Sequence, residues 1–208
     1  MKKSKVFGIG FHKTATTSLK IALRALGYNV TGPNGVKDPD IRNNINAMVD
    51  KISQEFDAFQ DNPWPIVFKR MDEMHPGSKF ILTTRNPDEW IRSQVRHFGT
   101  RTTPMREMIY GVGCPAGNED VFVRRMLTHN SNVIDYFRGR PKDLLVIDIT
   151  REGHWEPICS FLDEPVPARA FPHANRAVDR EGWRLHWRSL VSIIQRAHNR
   201  LRHIMKQL

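Results

Sequence analysis

Between Gly8 and Gly27 the chain runs GIGFHKTATTSLKIALRALG, and this stretch restricts the fold more than any other. From Lys5 the residues KVFGIGF make a short apolar run broken by glycine, the pattern of a buried strand ending at Phe11. From Thr17 the period changes: Leu19, Ala22, Leu23 and Leu26 recur at helical spacing, and Gly27 is placed to end the helix. The order is strand, loop, helix. A loop that feeds a helix N-terminus offers unpaired backbone N–H groups and the positive end of the helix dipole, which suits an anion. Gly8 and Gly10 are expected to let the backbone turn tightly there. Lys13 and the hydroxyls of Thr14, Thr16, Thr17 and Ser18 follow across the turn.

Further along, Ile41 to Phe56 reads as a polar helix, and FDAFQDNP as a second strand with Asp61 at its C-terminal end and a turn at Asn62-Pro63. KFILTT, Lys79 to Thr84, is a third strand, and Asn86-Pro87-Asp88-Glu89 carries a helix start: cap residue, proline, acids in the first turn. DLLVIDI, Asp143 to Ile149, is a fourth, a nearly continuous apolar run of the kind buried on both faces of a parallel sheet. Strands alternating with helices predict a three-layer α/β domain with a central parallel sheet. A chain of 208 residues that is 39% hydrophobic has one sizeable core, so a single domain over 1–208 is expected. Gly99 to Gly117 has little periodicity and reads as a loop, either at an acceptor site or on the plain surface. From about Gly182 a long basic helix is expected, with Leu185, Leu190, Ile193, Ile194 and Leu201 on its apolar side. A docked helix with a solvated basic face accounts for it better than nucleic-acid or membrane binding.

A formal net charge of +10 favours an anionic partner without choosing among nucleotide, nucleic acid and membrane surface. The two cysteines, Cys114 and Cys159, make neither a metal pair nor a disulfide framework, which points to a reducing, cytoplasmic setting. No apolar run reaches the length of a membrane span, and the start is too short for a signal segment. The nine histidines contain no H-E-x-x-H and no Cys/His cluster, so no metal is expected.

A nucleoside triphosphatase would show G-x-x-x-x-G-K-[ST], which this loop lacks, because Lys13 comes early and hydroxyls follow it. FHKTATTSL instead resembles the 5′-phosphosulfate loop of sulfotransferases that use 3′-phosphoadenosine 5′-phosphosulfate (PAPS), with His12 where proline is usual and Ala15 where glycine is. ILTTRNPDEWIRS resembles the second element of that family, an arginine at a strand end and a serine eight residues on: Arg85 and Ser93. WEPICSFLDEPVPARAFPHAN, Trp155 to Asn175, is similar to the tail of one subfamily.

The resemblance implies a P-loop-like sulfotransferase that moves a sulfonate from PAPS to a hydroxyl or amine of a small acceptor, leaving 3′-phosphoadenosine 5′-phosphate (PAP). Lys13 would neutralise the bridging oxygen, Thr14 to Ser18 would hold the 5′-phosphate, and Arg85 and Ser93 the 3′-phosphate. The resemblance also implies a base near the end of the second strand, where Asp61 stands, with His12 and His97 as alternates. Asp61 has a second reading as the cap of the Asn62-Pro63 turn, and Arg85 as a partner of Asp88. LLVID, ending at Asp148, favours a kinase on a related fold as the alternative, and net charge alone favours a non-enzymatic basic binding module. The acceptor and the oligomeric state, including a homo-oligomer, stay open.

Overall fold

Phe7, Phe59 and Phe80 stand side by side on three neighbouring strands, their rings stacked at 4.6 and 5.3 Å between centroids. This aromatic row sets the register of the sheet: Phe7 lies opposite Phe59 on one side and Phe80 on the other. The computed structural model describes residues 3–152, 154–172 and 174. Its five strands are β1 (Val6–Gly8), β2 (Val30–Thr31), β3 (Ala58–Phe59), β4 (Lys79–Thr83) and β5 (Leu144–Ile147). All pair in parallel, in the order β2-β3-β1-β4-β5. The helices are α1 (Thr16–Ala25), α2 (Ile41–Glu55), α3 (Trp64–Met74), α4 (Pro87–Phe98), α5 (Pro104–Tyr110), α6 (Glu119–Tyr136), α7 (Ile149–Glu152) and α8 (Trp155–Leu162).

Because strand side chains alternate between faces, Val6 and Ile81 point to one layer while Phe7, Phe80 and Leu82 point to the other. The first layer holds α1 and α8 through Leu19, Leu23, Trp155 and Ile158. The second holds α2, α3 and α6 through Val49, Trp64, Phe68 and Val133. This is the expected three-layer α/β architecture. A third cluster gathers Phe11, Trp90, Met105, Tyr110 and Phe122 from the segment after β1 and from α4, α5 and α6. The chain leaves β1 through α1 toward β2 on one face and leaves β4 toward β5 on the other. Neighbouring strands whose connections diverge open a crevice at their C-terminal ends.

Three expectations are corrected. DLLVIDI is not buried on both faces: β5 is an edge strand and Val146 is 44% exposed. Gly99 to Gly117 is not loop throughout, since α5 lies inside it; the Thr103 side chain accepts from Arg106 N, and Pro104 follows at the first helical position. Gly8 and Gly10 do not supply a left-handed turn; what they permit is close approach. The helix expected from Gly182 and the end of the Trp155–Asn175 match fall outside the described residues.

At Gly10 a Cβ would lie 2.1 Å from Thr83 Oγ1 and 2.2 Å from the Thr83 carbonyl oxygen. Backbone cannot give way as a side-chain tip can. Gly10→Ala is therefore expected to destabilise the fold by about 3 kcal/mol or more, read as a lower denaturant midpoint.

Candidate functional site

The loop between β1 and α1 is held from two sides. Thr14 Oγ1 donates to the Phe11 carbonyl at 2.6 Å and meets Thr83 Oγ1 at 2.6 Å, tying the loop to the end of β4. The His12 carbonyl accepts from Trp90 Nε1 at 2.9 Å and from Gln94 Nε2 at 2.8 Å, both on α4 and all buried. Between these anchors Lys13 and Ala15 take left-handed backbone, with φ of 69° and 65°. Ala15 thus adopts the conformation for which glycine is the usual residue. Among the described residues no side chain caps α1, so the N–H groups of its first turn are available to a ligand.

A cavity of about 650 Å³ opens above this loop. It brings together most of the residues expected from the sequence: His12, Lys13, Ala15, Thr16, Thr17, Ser18, Asp61, Arg85, Ser93 and His97 all line it. Thr14 does not, because its hydroxyl is engaged in building the loop. Ser18 Oγ accepts from Ala174 N at 3.0 Å, so the chain returns across α1 beside the cavity. Asp61 also has left-handed backbone, at φ 66°. Its Oδ1 accepts from Asn62 N at 2.7 Å, the capping contact, while Oδ2 accepts from Thr16 Oγ1 at 3.0 Å. The carboxylate therefore caps its own turn and touches the first turn of α1. Arg85 turns away from Asp88: its Nη1 donates to the Lys13 carbonyl at 3.3 Å, and its Nε lies 3.8 Å from Glu89.

Several cavity residues were not foreseen. Arg92 and Arg96 line it from α4 and Arg106 from α5; the helical spacing of Ser93 and Arg96 was a signal in the sequence, whereas nothing local placed Arg106 there. Asn62 is another addition. Its Nδ2 lies 2.9 Å from His12 Nδ1, and since an amide nitrogen donates, Nδ1 accepts and the ring proton sits on Nε2, 3.5 Å from the Tyr110 hydroxyl. Asp148 is placed as the end of its strand: Oδ1 accepts from the Thr150 backbone N at 2.9 Å. Among the described residues no group of three or more His, Cys, Asp or Glu could hold a metal ion, and no helix is long and apolar enough to cross a membrane.

The electrostatics follow from crowding. Burial and then the Arg85 charge push the half-buried Lys13 below its usual range, opposed by Asp61. Desolvation and then Lys13 push His97 down. Burial lowers His12 to about 4 despite the neighbouring Asp61 charge, so its ring is neutral at pH 7. The cavity is a cationic pocket at the mouth of a helix, with the Asp61 carboxylate near Lys13 and the Glu89 carboxylate paired with Arg85.

A family model described as a sulfotransferase domain matches residues 5–115 and 96–180. The chain belongs to the sulfotransferase domain family. The resemblance carried by FHKTATTSL and ILTTRNPDEWIRS is borne out at that level. Ava biosynthesis cluster protein M of Aspergillus versicolor is 26% identical, over 90% of this chain and 88% of that protein. A crystal structure of a sulfotransferase from Alicyclobacillus acidocaldarius superposes with a TM-score of 0.52 at 17% identity, covering 86% of this chain and 87% of that one. That structural likeness concerns the fold, which the sulfotransferase domain shares.

Two buried histidines give this domain a pH dependence whose sign is determined. His129 Nε2 donates to the Ile9 carbonyl at 2.7 Å, and burial lowers it, like His12, from 6.5 to about 4. The unfolded chain takes up protons below its ordinary histidine pKa, whereas the folded chain resists until about 4. Stability is therefore fully present above that ordinary value and falls as pH drops through the window, by on the order of 3 kcal/mol per histidine. Denaturation series across this range should show the slope, and His129→Gln, which keeps a donor for Ile9, should remove roughly half of it.

Proposed function

We propose that this sulfotransferase-family chain takes PAPS as donor and moves its sulfonate to a hydroxyl or amine of a small acceptor, releasing PAP. The observation that carries the reading is the meeting of Lys13, Arg85, Ser93 and the uncapped first turn of α1 in one cavity. Arg85 Nε is a buried donor with no hydrogen-bond partner among the described residues, 3.8 Å from Glu89, so its guanidinium retains capacity for an anion. In this reading the amides of α1 and the hydroxyls of Thr16, Thr17 and Ser18 hold the 5′-phosphate, with Ala15 shaping the loop. Asp61 takes the acceptor's proton as the acceptor atom bonds to sulfur. The bond from sulfur to the phosphate oxygen breaks, its electron pair stays on that oxygen, and Lys13 neutralises the charge. The kinase alternative loses support because Asp148 serves as a local cap. The two free cysteines suit a cytoplasmic setting.

Calorimetric titration with PAP and with adenosine 5′-phosphate tests the donor. Arg85→Ala should weaken PAP by about ten- to a hundredfold and leave adenosine 5′-phosphate nearly unchanged, since only PAP has the group contacted. Lys13→Ala should weaken both, because they share the 5′ end. Equal weakening of both ligands by Arg85→Ala would remove the 3′-phosphate assignment. Asp61→Asn should keep PAP affinity and lower turnover on a true acceptor by about a hundredfold or more. Unchanged turnover would pass the proton-accepting role to His97 or His12.

A further inference from the structure

Five side chains of α4 recur along one wall of the cavity: Glu89, Arg92, Ser93, Arg96 and His97. Positions at offsets of three, four, seven and eight share one helix face, and the rise per residue spreads them over about 12 Å of axis. The two ends of this stripe differ in charge balance. At the N-terminal end Glu89 pairs with Arg85 at 3.8 Å and with Arg151 at 3.3 Å. At the C-terminal end Arg96 has neither an ion pair nor a hydrogen bond among the described residues.

Arg106 joins Arg96 and His97 there from α5. It is 4% exposed, donates through Nε to the Gly113 carbonyl at 2.9 Å and through Nη2 to the Arg101 carbonyl, and lies 4.4 Å over the Phe98 ring. Among the described residues its Nη1 has no hydrogen-bond partner, and Arg106 is one of the residues that line the cavity. The Asp61 charge reaches both His12 and His97, and its oxygens are already bonded to Asn62 and Thr16. Lys13 and Arg101 add positive charge around His97. Phe98 belongs to the same end of the cavity, and Pro33 and Val36 add apolar lining.

The donor assignment uses Lys13, Arg85, Ser93 and the first turn of α1, and leaves the cations Arg96 and Arg106 without a role. Guanidinium groups gathered in a half-desolvated cavity repel one another until an anion comes between them. We infer that the sulfonate acceptor carries an oxyanion of its own, a carboxylate or a phosphate-type group, seated against Arg96, His97 and Arg106, with its uncharged body against Phe98 and Val36. The inference rests on the sulfonate-transfer reading above and names the acceptor class of that site. Arg106, held by two backbone carbonyls and an aromatic face, supplies a fixed donor, while Arg96 adapts to the anion's size.

The test uses the full chain saturated with PAP and titrated calorimetrically with four matched phenols: 4-hydroxybenzoate, 4-hydroxyphenylphosphonate, neutral 4-methylphenol and cationic tyramine. At least one acid should bind about tenfold or more tightly than 4-methylphenol, with tyramine weakest; which acid leads separates carboxylate from phosphate-type acceptors. Arg96→Gln should cost that acid about tenfold while leaving 4-methylphenol and PAP within about twofold. Arg106→Gln should do the same, but because it also loosens the segment from Arg101 to Gly113, the Arg96 variant is the deciding one. Equal affinity for acids and 4-methylphenol, no binding of either acid, or an Arg96→Gln loss shared by charged and neutral phenols would each overturn the inference. Failure of PAP itself to bind would instead remove the sulfonate-transfer reading, and this inference with it.

Discussion

The carbonyl oxygen of His12 accepts two buried side-chain hydrogen bonds from α4, one from Trp90 and one from Gln94, and the candidate site depends on that pair. The bonds dock the loop that follows β1 against the helix that follows β4, so residues 72 positions apart in sequence, Lys13 and Arg85, face one cavity. Each bond contributes about 1 kcal/mol net, but losing the donors would leave a buried acceptor unpaired at a cost of about 1 to 3 kcal/mol. The larger effect is geometric. A loop displaced from α4 would separate the α1 N-terminus from Ser93, and neither half alone offers more than a weak anion site.

Strain and charge are concentrated at the same place. Among the described residues four non-glycine residues have positive φ, and three of them, Lys13, Ala15 and Asp61, line the cavity. Left-handed backbone costs roughly 1 to 2 kcal/mol per residue, so the surrounding packing must hold it. Trp64, Phe59 and Phe7 pack beneath the C-terminal ends of β1 and β3, and Thr14 with Thr83 clamps the loop from β4. The crowding of Lys13 and Arg85 disfavours the charged lysine, an energy that an arriving anion reverses. The cavity is thus organised before any ligand enters it, which is the condition for electrostatic stabilisation without reorganisation.

How far the sequence could be read varied with how local each determinant was. β1 and β4 were legible because central strands are apolar on both faces, and α4 because Asn86, Pro87, Asp88 and Glu89 make a complete start signal, with the Asn86 side chain accepting from two backbone N–H groups. β2 has two residues and gives no period to detect. α3 opens with Trp64-Pro65 directly after a turn signal, and that proline, a first-turn residue, reads as a continuation of the turn. α6 carries Phe122, Val123, Met126 and Val133 at helical spacing but divides them between two clusters, so its apolar face shifts along its length. β5 misled because composition cannot tell an edge strand from a central one; its neighbours are chosen by the topology.

By itself the sequence determined the strand-loop-helix at the start, the parallel α/β class, and the chemical identity of the cations and hydroxyls after β1 and β4. Those follow from periodicity, turn residues and motif spacing, which act over a few residues at a time. Only the tertiary structure decided that Asp61 meets Thr16, that His12 is neutral inside a cage of Asn62, Gln94 and Tyr110, and that Arg106 turns into the cavity. These relations join residues 45, 50 and 98 positions apart. They depend on which strand ends the parallel order sets side by side, and a hydrogen bond or a desolvated charge is decided by distances of a few ångströms that no local pattern encodes.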